Sequence, residues 1–231
     1  MDSSKAATSV TFACSASGEM LPPYIVYKSE NLWYTWREGG PDSAVYNRTH
    51  SGWFDASLFE DWFNKIMLPY FKKIGPGPKV LLGDNLASHI SYNVVKVCQD
   101  NNIRFVLLPP NSTHLTQPLD VTCFRPIKNS WRKILQKWKK NHKGVIRKDH
   151  FPRLLRQALN EIKDNGRNNI IFGFAATGLH PLQRLKVLNR LPNEDEVDNP
   201  EVDATMTRSL TRDLWRKGSS GINYFNNKDI S

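Results

Sequence analysis

The hydrophobic residues of the first part of the chain change from strand-like to helix-like spacing. Two β-type runs, Thr8–Ala16 and Tyr24–Lys28, are separated by a Gly-containing turn and predict a hairpin. Residues 31–53 have no clear period and predict a loop with at most a short strand. From Ser57, which opens a capping-box pattern, apolar residues recur at helical spacing. We expect a helix that packs on the sheet and that ends or kinks at Pro69.

Two continuous apolar runs flank a helical segment in the middle of the chain. Val80–Gly83 and Phe105–Leu108 are each bracketed by Gly, Pro or Asn and predict fully buried strands. Residues 88–100 carry an apolar face and predict a helix with Ser88 as its N-cap. Strand, helix and strand with short connections indicate a βαβ unit with parallel strands. Ligand sites in such folds lie just beyond the carboxyl ends of the strands, which makes Asp84 a candidate site residue.

The second half of the chain predicts helices. A long amphipathic helix is expected over about 121–142, because its apolar positions step by three or four residues and form a narrow seam: Phe124, Ile127, Trp131, Ile134 and Trp138. Its other faces are mostly Lys and Arg. A second helix over 150–165 should stop near Gly166, and a shorter one should follow near 168–175. The fold class predicted by these elements is α/β, with a sheet flanked by helices.

Composition places the chain among globular proteins. It has 231 residues, of which 39% are hydrophobic and 11% aromatic. Cys14, Cys98 and Cys123 lack the spacing of metal ligands and lie in or near apolar runs, so we expect buried free thiols in a reducing compartment. No apolar run approaches the ~18 residues that a membrane span needs, and the N-terminus has no secretory signal pattern. We therefore expect a soluble intracellular protein with no membrane partner.

The positive charge is concentrated in one segment. Net charge is +10, and residues 125–156 contain twelve Lys or Arg against one Asp, which accounts for the whole excess. A localised basic surface is typical of proteins that bind a phosphate backbone. At the two ends, residues 1–7 are small and polar and are predicted to be disordered. Residues 192–231 include an acidic run at 194–203 and are predicted to form a flexible tail.

Three motifs follow one another in the middle of the chain: Gly83-Asp84-Asn85 with His89, Leu108-Pro109-Pro110-Asn111-Ser112-Thr113, and Gln117-Pro118-Leu119-Asp120-Val121. In this order, with 35 residues between the two Asp, they resemble the DDE superfamily endonuclease domain of pogo/Tigger/jerky-type transposases. The resemblance covers about residues 8–191. It implies a ribonuclease-H-like mixed sheet flanked by helices, with catalytic acids at one edge.

The resemblance also implies a chemistry. Asp84 and Asp120 match the second and third catalytic carboxylates of a family that cuts and joins DNA with two divalent metal ions. Mg²⁺ or Mn²⁺ would be expected, because such ions prefer oxygen ligands and together hold the attacking and leaving oxygens of an in-line displacement. The family's first carboxylate lies on an opening strand upstream of Thr8. We therefore expect an N-terminally truncated domain that lacks its first strand and has impaired or no catalysis.

Each candidate also has a structural interpretation. Asp84 would cap the following helix, Asp120 would be the N-cap of the basic helix, and His89 would be a hydrogen-bonded histidine. For the basic helix, the alternative to DNA contact is a merely solvated face. The candidate nucleic-acid contacts are Asn85, His89, Arg125, Lys128, Arg132, Lys133, Lys137 and Lys140.

The sequence thus favours a transposon-derived, DNA-binding domain of the endonuclease type. The alternative is a domesticated, non-catalytic module that binds nucleic acid or protein, and a truncated gene product without a selected role is a third interpretation. A nuclear location is expected from the DNA partner and from the basic cluster Lys137–Lys143. The oligomeric state is left open, with a homo-oligomer as one alternative.

Overall fold

The computed structural model describes residues 8–83, 91–191 and 220–227, the last range by its backbone only. Six strands in these ranges form one sheet in the order β3-β2-β1-β6-β4-β5. Their bounds are β1 Thr8–Ser15, β2 Tyr24–Lys28, β3 Val45–Thr49, β4 Lys79–Gly83, β5 Ile103–Leu107 and β6 Ser220–Asn227.

Eight α-helices lie in the same ranges: α1 Ala56–Trp62, α2 Leu68–Ile74, α3 Tyr92–Asp100, α4 Thr113–Thr116, α5 Phe124–Asn141, α6 Phe151–Glu161, α7 Lys163–Ala176 and α8 Leu185–Leu188. Two π-helical turns, Phe63–Met67 and Leu119–Cys123, precede α2 and α5, and a short 3₁₀ turn covers Tyr34–Trp36. None of the helices in the described ranges has the length and apolar character needed to cross a membrane.

The sheet is mixed, and the predicted α/β class is confirmed. Strands β1 and β2 pair antiparallel as the expected hairpin, and β4 and β5 pair in parallel on either side of α3, as the βαβ interpretation requires. The prediction that β5 is fully buried was wrong. Most of β5 is half-exposed because it is the edge strand of the sheet, whereas β4 is buried along its whole length.

Alternate residues of the central strands face two different helical layers. Val10, Phe12 and Cys14 of β1 belong to the core beneath α5, α6 and α7. Ala13 of β1 and Val26 of β2 belong to the core beneath α1, α2 and α3. The period of two along each strand therefore builds a three-layer domain with the sheet in the middle. Cys14, Cys98 and Cys123 are buried free thiols, as predicted.

Four helix boundaries differ from those expected. Asp55, not Ser57, is the N-cap of α1, and its carboxylate accepts a hydrogen bond from the Leu58 amide. The helix continues beyond Pro69, because the π-helical turn at 63–67 widens the backbone and leaves Pro69 in the first turn of α2, where its missing N–H is tolerated.

The structure caps α3 at Ser91, whose hydroxyl accepts from the Val94 amide, and Ser88 lies outside the described residues. The helix predicted to stop at Gly166 ends earlier, at Glu161. Gly166 instead lies inside α7, where packing of Ile170 and Phe174 offsets the low helix propensity of glycine.

Strand β6 lies in the segment expected to be a flexible tail. Residues 220–227 occupy the centre of the sheet, antiparallel to β1 and parallel to β4. Their sequence, SGINYFNN, contains Ile, Tyr and Phe, which favour strands. Because β1 and β4 are buried, the backbone groups on their facing edges need a partner strand, and β6 provides one. Residues 1–7 and 192–219, also predicted to be mobile, lie outside the described residues.

Candidate functional site

Asp84, the first candidate carboxylate, directly follows the last residue of β4 in the sequence. Asp84, Asn85 and His89 fall within residues 84–90 and lie outside the described residues. The strand that leads to them ends at Gly83, whose carbonyl accepts a hydrogen bond from the Leu108 amide at 2.7 Å. This bond ties the residue before Asp84 to the start of the second sequence motif.

The segment after Leu108 is held by its own hydroxyl groups. The Ser112 hydroxyl donates to the Pro109 carbonyl at 2.8 Å, and the Thr116 hydroxyl donates to the Ser112 carbonyl at 2.9 Å. Ser112 and Thr116 are both buried. These bonds fix α4 and lead the chain into the second π-helical turn.

Asp120 is the second residue of that π-helical turn. The N-cap position of the turn is Pro118, and that of α5 is Cys123, with no side-chain capping bond at either. The structural interpretation of Asp120 as an N-cap is therefore wrong. Its carboxylate is half-buried and faces a polar neighbourhood that includes Thr113, His114 and Lys128.

Burial decides the electrostatics of Asp120. Loss of hydration raises the pKa of this carboxyl above its usual value, and the Thr113 hydrogen bond and the charges of Lys128 and His114 offset only part of that rise. An ionised oxygen ligand that lacks full hydration suits a hard divalent cation, which would supply the missing countercharge. Residues 8–83 and 91–191 contain no group of three or more His, Cys, Asp or Glu that could hold a metal ion. A complete site would therefore need ligands from outside those ranges, and Asp84 is the candidate.

Helix α7 clamps the turn that carries Asp120. A Cβ on Gly173 would lie 2.6 Å from the Thr122 hydroxyl oxygen and 2.7 Å from the Pro118 carbonyl oxygen. The Thr122 hydroxyl also donates to the Asn169 carbonyl at 2.6 Å. Only glycine lets the two backbones approach this closely, so Gly173 sets the position of the turn.

Gln117 is a further polar group beside this turn. Its side chain is fully buried, and neither amide atom has a hydrogen-bond partner within the described part of the chain. A buried amide normally finds partners for both its donor and its acceptor. It lies three residues before Asp120 and is a candidate to contact whatever occupies the site.

Sequence reasoning singled out Asp120 and Lys128 but missed the supporting residues Gly173, Thr122 and His114. A glycine inside an otherwise helical pattern is a recognised signal of close packing, and Gly173 carries that signal. Thr122 and His114 carry no comparable signal, because their roles depend on which elements meet in three dimensions.

Helix α5 presents six of its seven cations in two rows. Its buried seam is Phe124, Ile127, Ser130, Trp131 and Ile134, which confirms the predicted apolar stripe, with Trp138 packed at its edge. Row A is Arg125, Lys128 and Arg132, and row B is Lys133, Lys137 and Lys140. Residues three and four apart on a helix share a face, so each row is continuous.

The two rows differ in their position relative to the candidate carboxylate. Row A includes Lys128, which is half-exposed and close enough to affect the Asp120 carboxyl, whereas all of row B is exposed. No acidic residue lies on α5, and within the described residues none of these six cations forms an ion pair with a carboxylate. Within the described residues, this surface therefore carries six cations that are not paired with an acid.

Comparisons with known proteins match most of this chain to one family. The family model described as DDE superfamily endonuclease matches residues 5–170. "MFS-type transporter clz9" from Cochliobolus lunatus is 29% identical over 182 residues, which are 76% of this chain and 19% of that protein. "Pogo transposable element with KRAB domain" is 27% identical in Homo sapiens and 26% in Mus musculus, each over 127 residues, 53% of this chain and 20% of that protein.

The chain thus spans about a fifth of the length of these curated relatives. No solved structure matches it.

Proposed function

The chain belongs to the DDE superfamily endonuclease family as a pogo-type transposase-derived domain, and from this premise we propose that it binds DNA along α5 and holds Mg²⁺ or Mn²⁺ with Asp84 and Asp120. The observation that carries the proposal is the half-buried Asp120 carboxylate beside Lys128, at the start of an unneutralised cationic helix. A carboxylate ligand and a phosphate-binding surface are two of the components that metal-dependent chemistry on DNA requires.

Rows A and B fit a phosphate backbone. The two rows together carry six cations on the outward side of one rigid helix. Each cation that neutralises a phosphate releases a counterion, so binding should weaken steeply with salt. Row A would hold the DNA next to Asp120, because Lys128 belongs to both neighbourhoods.

The residues at Asp120 fit a hard cation through their oxygen atoms. Asp120 would provide a ligand, and the Thr113 hydroxyl, which lowers the pKa of this carboxyl, would help to orient it. Bound divalent ions in this family supply charge stabilisation for displacement at a phosphodiester. Lys128 would contact the phosphate rather than the metal, because a cation does not coordinate a cation.

The family resemblance assigns its second and third catalytic carboxylates to Asp84 and Asp120. Our proposal is that the domain binds DNA and a divalent ion through these residues and the cations of α5, with cleavage of DNA impaired or absent. Its expected location is the nucleus, where its DNA partner is found.

The test compares two triple substitutions of equal charge. Lys133, Lys137 and Lys140 are changed to Gln in one variant, and Lys72, Lys73 and Lys96, exposed on the opposite helical layer, in the other. Affinity for a duplex is measured by fluorescence anisotropy at several salt concentrations. The α5 variant should lose about three units of salt slope, and the control should keep the wild-type slope.

Equal slopes in the two variants and the wild type would show that DNA does not bind at row B. Tight binding with no nicking in Mn²⁺ would favour a non-catalytic module. Mn²⁺-dependent nicking that disappears in Asp120→Asn would favour an active enzyme.

A further inference from the structure

A cavity lies between α5 and α6, about 340 Å³ in volume. We call it the α5–α6 cavity. Its apolar side is Ile134 and Leu154, both buried, and its remaining lining comes from polar, cationic and aromatic side chains. None of its lining residues is acidic. Its volume is at the low end of that of small-ligand pockets, about the size for one nucleotide.

Three rings form one wall of the cavity. His142 stacks on Trp138 with their ring centres 4.6 Å apart and their planes nearly parallel, at 4°. His150 lies beside both, 6.2 Å from Trp138 and 6.1 Å from His142. The His142 Nδ1 also lies 3.0 Å from the Trp138 carbonyl oxygen, which holds the stack in place. Flat rings of this kind are the surfaces on which unpaired bases stack.

Two cations stand at the rim. Lys137 and Arg153 are exposed, line the cavity from α5 and α6, and form no ion pair with a carboxylate in the described part of the chain. The nearest acid in sequence, Asp149, is paired with Arg147 at 3.0 Å. An Arg and a Lys that line the same cavity from two different helices suit a phosphate group.

One polar atom in the wall lacks a partner. The Nδ1 of His150 is buried and makes no hydrogen bond within residues 8–83 and 91–191. Buried ring nitrogens usually have a partner, and this atom would gain one only if the His150 ring turned to expose it to a bound base.

We propose that the α5–α6 cavity binds one unpaired nucleotide of a DNA strand, with its base against the three-ring wall and its phosphate between Lys137 and Arg153. This proposal rests on the proposed DNA-binding function and deepens it, because it assigns a single-stranded element to the substrate. A paired base cannot enter, since both its faces and its hydrogen-bonding edge are occupied in a duplex.

The test uses three DNAs: a blunt duplex, the same duplex with a short single-stranded extension, and that duplex with an extension of abasic sites. The extension with bases should improve affinity about 10-fold over the blunt duplex, and the abasic extension should not. Arg153→Gln and Trp138→Leu should remove this advantage. Lys137→Gln should reduce it, whereas Lys139→Gln, which removes the same charge two residues away and outside the cavity, should preserve it.

The ratio of the affinity for the duplex with the single-stranded extension to the affinity for the blunt duplex tests the cavity. The affinity for the blunt duplex by itself tests the proposed function. A ratio of one in the wild-type protein overturns the cavity proposal. So does an equal ratio in Arg153→Gln, Lys137→Gln and Lys139→Gln. Because the residues changed to Gln are exposed, a folding defect does not confuse the result, and Trp138→Leu serves only as confirmation.

A nucleoside monophosphate distinguishes a strand from a free nucleotide. If it displaces the extension as tightly as the extension itself binds, the cavity is a free-nucleotide site and the strand assignment is wrong. If no duplex binds, the proposed function fails separately. The ring-proton NMR shifts of His142 and His150 on adding the monophosphate then decide the cavity alone: movement supports a nucleotide site, and its absence overturns it.

Discussion

The sheet separates two helical layers that bury their apolar faces in the same way but differ in how they use charge. In the layer of α1 and α2, residues 56–74 contain two acids and three Lys. Asp61 accepts hydrogen bonds from Tyr24 and Asn47 and pairs with Lys65 at 2.8 Å. In the opposite layer, α5 alone contains seven cations and no acid.

The difference shows how to separate structural charge from functional charge. Glu60 accepts a hydrogen bond from Ser91 at 2.9 Å, so both acids of the first layer connect elements of the fold. On α5 the buried seam already holds the helix in place, and the exposed cations contribute nothing comparable to stability. Unneutralised charge on a helix that packing already stabilises points to a partner of opposite charge.

The largest expected effect tests the sheet that both layers share. Deleting residues 220–231 removes β6 and leaves the facing edges of β1 and β4 unpaired in the core. We expect loss of cooperative thermal unfolding by circular dichroism, together with aggregation through the open edges. Deleting only 228–231, which leaves β6 intact, should change little. A cooperative, wild-type transition after the longer deletion would show that β6 is dispensable.

A smaller effect is expected at the contact between α7 and the turn that carries Asp120. Gly173→Ala places a methyl group against Thr122 and Pro118 and should lower the free energy of unfolding by about 1–3 kcal/mol. The control is Gly166→Ala in the same helix, where a Cβ meets nothing within 4 Å; it should raise stability by up to about 1 kcal/mol. Chemical denaturation measures both free energies of unfolding. Equal changes in the two variants would contradict the close packing of α7 on the turn at Gly173.

The two layers should also respond oppositely to pH. Burial raises the pKa of Asp61, but its hydrogen bonds and the Lys65 charge together lower that pKa by a larger amount. The folded pKa of Asp61 therefore lies below the unfolded value. Its ionised form stabilises the fold above the unfolded pKa of about 3.9, and that contribution is lost as pH falls through the folded pKa. Asp61→Asn should therefore cost about 1–2 kcal/mol at neutral pH and little in acid.

The pKa of Asp120 is shifted in the opposite direction to that of Asp61. Its folded pKa lies above the unfolded value, mainly because of burial, so its favourable contribution exists below the unfolded pKa and is lost as pH rises through the folded pKa. In a chelator, Asp120→Asn should raise the melting temperature at neutral pH and change it little in acid. Melting curves from acid to neutral pH measure both variants. A lower melting temperature for Asp120→Asn at neutral pH would contradict the assigned burial effect.

The smallest effect is expected from single changes in each row of α5. A single change in row A, Arg132→Gln, or in row B, Lys133→Gln, should each lower the salt slope of DNA binding by about one unit. Neither change should alter stability by more than about 0.5 kcal/mol, because both side chains are exposed. A change in the free energy of unfolding without a change in the salt slope would show that these residues stabilise the fold and do not contact DNA.

Local sequence patterns predicted the strands and helices that bury one face, because their apolar residues then recur at a regular spacing. The hairpin, the two parallel strands and the seam from Phe124 to Trp138 follow from periods of two and of three to four residues, because one face of each element is buried. The exceptions depend on tertiary packing. The helix passes Pro69 through a π-helical turn, and β5 is half-exposed because no strand lies outside it in the described sheet.

The site was predictable in its residue types but not in its environment. The motif around Asp120 and the basic segment after it were visible in the sequence, and the structure brings Lys128 close to that carboxylate. The burial of Asp120 was not predictable, because it depends on where α7 meets the turn at Gly173. Nor was the position of β6, since a strand inserted between two distant segments has no local signal of its neighbours.

The central claim is that a metal ion at Asp120 lies beside DNA bound on α5. Fe²⁺ in place of Mg²⁺, with ascorbate and peroxide, produces radicals that cut DNA close to the bound ion. We predict Fe²⁺-dependent cleavage of a bound duplex, and its loss in Asp120→Asn without loss of DNA affinity. Cleavage of equal strength and pattern in the wild type and Asp120→Asn, with DNA bound in both, would contradict the claim.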